Sequence, residues 1–460
     1  MKTNTLTMPS DISAKNTSQN IITILMLAWP IMLSQFLQTI LGIVDIYFIS
    51  MLESNELLAA ISYGNGVLDV TIAAAQFVVI GSLATISRRV GANDITGAEK
   101  MASQGILLAF LTGGVFLSFL YFRGNSFLYL FGARGEILEY GASYLKILAF
   151  ATPFIFFNLT SRGILQAKGD TFTPMIVFCG MNILNIFFNY IFIFGIGFIP
   201  EFGYKGAALG TVAANLIGSC SLVFLLEKKF FHSSLWQAYK KYKIILKDLW
   251  TIIRIGSFAM VQGIARPITA LLMYSIANNV SLVAITAFGI GGRMIGLVFI
   301  TIMGLTQAMS VLTGQNLGRG DIDSVEKYGR DGLKFAFVNM LIFFVPFFIF
   351  AEQTMSVFTN DPEVIAEGVS YFRIVYPCIF LVIFPAIYGG IFMGSGDTAP
   401  PMVASLVANL GFKYPFARYF ANHLELGANW VWLGIGLSVL VEMIIIVLWY
   451  RKGKWKTKKV

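Results

Sequence analysis

The sequence predicts an all-α polytopic membrane protein with about twelve transmembrane helices in two pseudo-symmetric six-helix lobes. Three observations carry that prediction. First, 57% of the 460 residues are hydrophobic and 12% are charged, whereas about a quarter are charged in an ordinary soluble chain. Second, the chain is a succession of apolar runs, most of them long enough at about 1.5 Å per helical residue to cross a hydrocarbon core about 30 Å thick. Third, the two halves repeat. Asp94-Ile95 and Asp321-Ile322 stand 227 positions apart, as do Gly91 and Gly318, Glu99-Lys100 and Glu326-Lys327, Gly163-Ile164 and Gly390-Ile391, Gly169-Asp170-Thr171 and Gly396-Asp397-Thr398, and Tyr144 and Tyr371. A repeat of six helices preserves orientation, so the halves are expected to be parallel repeats about an axis along the membrane normal, with alternating access by rocking.

The elements follow in order. Residues 1–20 are polar, without the apolar core of a secretory signal, and read as a cytosolic tail. Residues 21–226 form the N-lobe. Its first run is Ile21–Ser50, its second ends near Ser87, and a charged loop Arg88–Lys100 follows. Four more runs lie at about Gln104–Phe122, Tyr140–Leu165, Pro174–Phe198 and Ala207–Leu226. Residues 227–249, rich in lysine, form a basic cytoplasmic connection that can fold as an amphipathic surface helix. Residues 250–450 form the C-lobe, with runs at about Trp250–Asn279, Ser281–Leu312, Leu333–Phe350, Gly368–Phe392, Pro401–Phe420 and Trp430–Tyr450, and residues 451–460 are a basic cytoplasmic tail.

Orientation follows from charge. With the N-terminus inside, Arg88, Arg89, Lys100, Lys168, the central lysines, Arg319, Lys327 and Arg330 fall in cytoplasmic loops, while Glu53, Glu56, Glu352, Asp361 and Glu363 fall outside. The positive-inside rule then places both termini in the cytoplasm of a plasma (inner) membrane protein. The same distribution makes the net charge of +9 a matter of membrane topology, with no nucleic-acid partner. Cys179, Cys220 and Cys378 lie in apolar runs and offer no disulfide framework or metal spacing. His232 and His423 lie in expected loops without metal spacing, so neither a metal nor a cofactor is expected.

Polar residues inside apolar runs are the candidate site, because ionisable groups cost several kcal/mol in lipid and must look into protein or water. On the first helix Gln35, Gln38, Gly42 and Asp45 fall at i, i+3, i+7 and i+10, within one narrow arc. Asp45 either carries chemistry there or reaches interfacial water idly. Pro30 supplies a hinge in the same helix. On the fifth helix Asn182, Asn185 and Asn189 fall at i, i+3 and i+7, a stripe that faces the Asp45 arc across a cavity or serves as interhelical glue. Thr211 is the weakest of this set, since its hydroxyl can bond its own helix. Asp69 on the second helix is the most deeply placed acid, and reads equally as a relay or substrate contact or as a structural ion pair. Asn158, Gln262, Arg266 and Arg293 complete the cavity candidates.

The chain resembles the multidrug and toxic compound extrusion (MATE) family. The resemblance rests on Pro30 with Val44-Asp45, Arg88-Arg89-Val90-Gly91-Ala92, Gln166-Ala167-Lys168-Gly169-Asp170-Thr171, Gly206-Ala207-Ala208-Leu209-Gly210-Thr211, Gly314-Gln315-Asn316-Leu317-Gly318 and Met393-Gly394-Ser395-Gly396-Asp397-Thr398, in that order along almost the whole chain. It implies ion-driven efflux of small organic substrates, often cationic and amphiphilic, by a protein that is no enzyme. Helices seven and eight contain no Asp or Glu, so the better match is the branch with its coupling carboxylate on the first helix (DinF-like). In that branch the ion site is Asp45 with Asn185, position 189 and Thr211. Its members commonly have a second Asp where this chain has Asn189.

One carboxylate among neutral oxygens favours H+ over Na+ as coupling ion. The function expected is therefore a proton-driven antiporter, working as a monomer in the lipid bilayer. The alternatives are a Na+-coupled exporter and a flippase of a lipid-linked or anionic amphiphilic precursor. No G-x-x-x-x-G-K-[ST] phosphate loop occurs, which argues against an ATP-driven pump.

Overall fold

The computed structural model describes residues 14–460 apart from Glu53, Phe198, His232 and Lys459. Residues 1–13 of the expected tail, Glu53 of the orientation argument, Lys459 of the basic tail and His232 thus lie outside the described residues. Among the described residues helix dominates, ten helices are long and apolar enough to cross a membrane, and the one β-feature is an isolated bridge between Ile196 and Ile199. An eleventh crossing is a pair of helices bent by 52°. The twelfth expected run is helical over residues 399–423, but wide π turns at Val407–Lys413 and Arg418–His423 break it into pieces too short to qualify singly.

The chain forms two compact units, one of Leu33–Gly256 and one of residues 14–32 with Ser257–Val460. The first unit holds the later part of α1 (Thr17–Ser50), α2 (Asn55–Gly91), α3 (Ile95–Leu130), the bent pair α4 (Gly135–Ala149) and α5 (Thr152–Ala167), α6 (Phe172–Phe194), α7 (Tyr204–Leu226) and the short α8 (Leu235–Tyr242). It ends in the start of α9 (Leu246–Val280). The second unit holds the rest of α9, α10 (Leu282–Arg319), α11 (Ile322–Ile349), α12 (Ala351–Ser356), α13 (Pro362–Ile379) and α14 (Ile383–Ser395). The interrupted run α15 (Ala399–Leu406) and α16 (Tyr414–Ala417) and then α17 (Ala428–Arg451) complete it. Pro30 lies inside α1 and removes one helical hydrogen-bond donor; the boundary between the units falls two residues later.

Two expected loops are shorter than the charge pattern predicts. Arg88–Lys100 and its counterpart are mostly helix, because apolar composition marks membrane depth whereas capping marks where helices stop. Asp94 ends the gap by accepting the Gly97 N–H at 2.8 Å, and Asp321 accepts the Ser324 N–H at 2.9 Å. The Gly97 N–H, with the Arg89 guanidinium at 2.8 Å, holds the Asp94 carboxyl below the usual carboxylate range. In the basic connection, α8 is the expected surface helix. It is tied back by Tyr242, whose hydroxyl donates to Glu99 at 2.6 Å, while Lys100 pairs with Asp248 at 2.7 Å.

The 227-residue repeat reappears as matching contacts inside each unit. Ser54 and Ser281 cap α2 and α10 by accepting the N–H of Leu57 and Ala284. The Tyr144 ring packs so closely on Gly64 that a Cβ there would stand 2.6 Å from it, and Tyr371 packs on Gly291 in the same way at 2.4 Å. Gly163 of α5 seats on Val79 of α2, and Gly390 of α14 on Thr306 of α10. Helix pairs in lipid lack a hydrophobic drive toward each other, so small residues that let backbones touch supply much of the packing energy.

The last contact gives a test with its own control. A Cβ at Gly390 would lie 2.4 Å from the Thr306 carbonyl oxygen, whereas one at the adjacent Gly389 meets nothing within 4 Å. Gly390→Leu should cost about 1–3 kcal/mol through overpacking, read as a lowered melting temperature of the detergent-purified protein, and Gly389→Ala should leave the melting temperature nearly unchanged.

Candidate functional site

The site begins with the arc on α1. A Cβ at Gly42 would meet nothing within 4 Å, so this face of the helix looks into open space, with Gln35 and Asp45 half-buried beside it and Gln38 exposed. Across from Asp45 stands the asparagine stripe of α6. Asn189, 1% exposed, spends both amide hydrogens: one goes to Asp45 Oδ1 at 2.7 Å and one to Asn185 Oδ1 at 3.0 Å. Asn185 in turn donates to Thr211 Oγ1 at 3.3 Å, and Thr211 donates to the Ala207 carbonyl at 3.1 Å. The four residues expected at the ion site therefore form one hydrogen-bonded chain across α1, α6 and α7, in which donation runs outward from Asn189, to Asp45 on one side and through Asn185 to Thr211 on the other. Asp45 is the only ionisable member.

Gly210 makes room for this chain, since a Cβ there would stand 2.0 Å from Asn189 Oδ1. That oxygen is buried and accepts no hydrogen bond among the described residues. An orphaned buried acceptor costs about 1–3 kcal/mol, and here it lies on the side chain that holds the carboxylate. Among the described residues no group of three or more His, Cys, Asp or Glu could hold a metal ion. The free Oδ1 of Asn189 accepts no hydrogen bond among the described residues, while Asp45 Oδ1, Asn185 Oδ1 and Thr211 Oγ1 each accept one and keep a further lone pair.

The other candidates scatter. Asn158 is buried but belongs to a separate cluster, donating to Asn215 Oδ1 at 3.2 Å and accepting from Ser219 at 2.8 Å. Asn182 is half-buried and makes no hydrogen bond among the described residues, so the stripe contributes two of its three members. Asp69 is exposed and forms no ion pair among the described residues, which leaves the structural ion-pair reading without support. In the second unit Arg266 is exposed and pairs with Glu442 at 3.2 Å, Gln262 is half-buried, and Arg293 is exposed with no ion pair among the described residues.

Two buried polar side chains of the first unit are absent from the sequence-based candidates. Tyr144, buried on α4, donates to Asn65 Oδ1 at 3.2 Å. Arg162 of α5 is 8% exposed, reaches Gln35 Oε1 at 3.5 Å and lies over the Phe178 ring at 5.4 Å. The sequence signal for Arg162 is a break in the repeat: its counterpart 227 positions on is Gly389.

Gly210→Val should collapse the chain by driving a side chain into Asn189. The expected outcome is loss of transport with retained membrane insertion, checked by transport and by surface labelling of the same cells.

Comparison with known proteins identifies the family. The MatE family matches residues 30–191 and 259–418. The chain is 25% identical over 439 residues to the probable multidrug resistance protein NorM of Thermotoga maritima, covering 94% of this chain and 93% of that one. It is 26% identical over 353 residues to an FAD transporter of Shewanella oneidensis, covering 75% and 76%. In structure it is similar to a MOP superfamily transporter from Pyrococcus furiosus, with a TM-score of 0.87, 24% identity and coverage of 97% of this chain and 100% of that one. With the family matched over most of its length, a multi-pass helical architecture and a buried polar chain, this protein belongs to the MATE family of membrane transporters.

Proposed function

We propose that the protein is a secondary active efflux transporter, an antiporter driven by inward proton flow, that exports cationic or amphiphilic organic compounds by alternating access. It works as a monomer in the plasma (inner) membrane with both termini in the cytoplasm. The observation that carries the proton assignment is the hydrogen-bond chain from Thr211 to Asp45, in which a single carboxylate meets only neutral partners. The Thermotoga maritima relative, named a probable multidrug resistance protein, supports export of drug-like compounds.

The chain suggests how a proton is read. Charged Asp45 accepts from the Asn189 amide, whereas a protonated carboxyl needs an acceptor for its own O–H. Asn189 can supply one by turning its amide, which presents the free Oδ1 in place of Nδ2. That turn also removes the donor to Asn185 and loosens the link onward to Thr211. Protonation of one atom thereby alters contacts among α1, α6 and α7, and Pro30 lets α1 bend in response. Sodium would have a single carboxylate here, beside the neutral oxygens of Asn189, Asn185 and Thr211, whereas a second acid would strengthen a cation site.

A second reading, export of an anionic amphiphile, is favoured by the relative named as an FAD transporter.

In proteoliposomes with the membrane potential clamped, an imposed pH gradient without sodium should drive transport; transport driven by a sodium gradient alone contradicts the proton assignment. Asp45→Asn should abolish coupled transport while the protein still inserts, and Asn185→Ala should lower the rate less, since it removes one oriented dipole. Asn189→Asp, which adds a second carboxylate, should introduce a sodium response absent from the unmodified protein.

A further inference from the structure

Arg162 is a guanidinium that the fold does not need. The repeat places Gly389 at its counterpart in the second unit, where a Cβ would meet nothing within 4 Å, so the same helix packs without any side chain there. Arg162 is nevertheless more than nine-tenths buried, and it forms no ion pair with any acid among the described residues. Buried charges are costly and are ordinarily paired. Its Nη2 is buried without a hydrogen-bond partner, and its Nη1 has Gln35 Oε1 at 3.5 Å, the long limit for such a bond. Phe178 supplies a ring face at 5.4 Å.

Through Gln35 these groups adjoin the polar arc of α1. Gln35 is on the polar arc of α1 that carries Asp45, one end of the open face at Gly42. Arg162 stands one helical turn from buried Asn158 on the same face of α5. Gln35 and Phe178, both half-buried, are in contact with the guanidinium. Displacing the long contact with Gln35 would expose a planar fork whose geometry matches a carboxylate or phosphate.

We propose that Arg162, under Gln35 and beside Phe178, is the subsite for an oxyanion, a carboxylate or phosphate, carried by the exported amphiphile. The cargo is then an aromatic or amphiphilic molecule with an acidic group, its ring stacking at Phe178 and its oxyanion on Arg162. This assignment rests on the export reading above for its biological meaning, though not for its test.

The test is equilibrium binding to the purified protein in detergent, followed by dye anisotropy, which needs no ion gradient and separates this assignment from that reading. The probes are a xanthene dye bearing a free carboxylate, its phosphonate analogue and its neutral methyl ester. Arg162→Gln should weaken binding of the carboxylate or the phosphonate dye, or both, by about tenfold, and leave the ester within about twofold. Whichever anionic dye is lost identifies the oxyanion. Arg162→Lys, which keeps the charge but not the fork, should weaken the same dyes by a smaller factor of about three, and serves if the Gln variant does not survive purification. Equal losses for all three dyes make Arg162 a structural residue and overturn the proposal, as does unchanged binding of both anionic dyes.

Discussion

The first unit is arranged around the cost of keeping one carboxylate inside an apolar bundle. A charged Asp in hydrocarbon costs several kcal/mol, and Asp45 meets that cost through a neutral dipole, forming no ion pair among the described residues. Asn189 is held in turn by Asn185, and Asn185 by Thr211. Each link fixes the orientation of the next, so the four side chains form a single hydrogen-bonded unit. Gly210 exists in this account for a steric reason, because the amide it faces has nowhere else to sit.

The repeat shows which residues serve architecture and which serve function. Contacts present in both units, such as Tyr144 on Gly64 and Tyr371 on Gly291, or the serine caps of α2 and α10, hold helices together wherever they occur. The polar chain and Arg162 are different. Position 189 corresponds to Phe416, position 211 to Ser438 and position 162 to Gly389. The second unit thus keeps a hydroxyl at the position of Thr211 but has no amide at the position of Asn189 and no guanidinium at that of Arg162, so the contacts of Asn189 and Arg162 are not part of the shared repeat.

Much of this was legible in the sequence, and the physics explains which parts. Twelve crossings could be counted because apolar length is set by bilayer thickness. The Asp45 and Asn185–Asn189 pairing could be anticipated because helical periodicity puts those side chains on single faces. Helix ends were less legible, since the caps at Asp94 and Asp321 lie within charged stretches that look like loops. The π turns after Leu406 leave the side-chain pattern almost unchanged while altering the backbone hydrogen bonding. Arg162 stands six residues before Lys168 at the end of an apolar run, where a basic side chain ordinarily snorkels to the interface. Its burial distinguishes it, together with the break in the repeat at Gly389.

The central claim is that Asp45 exchanges a proton for cargo. The most direct measurement is proton release when substrate is added to the purified protein in weakly buffered, sodium-free solution. The account predicts release approaching one proton per bound substrate at a pH where Asp45 is protonated in the free protein, and none from Asp45→Asn. Equal release from both proteins, or binding by the unmodified protein with no proton released at any pH, would contradict it.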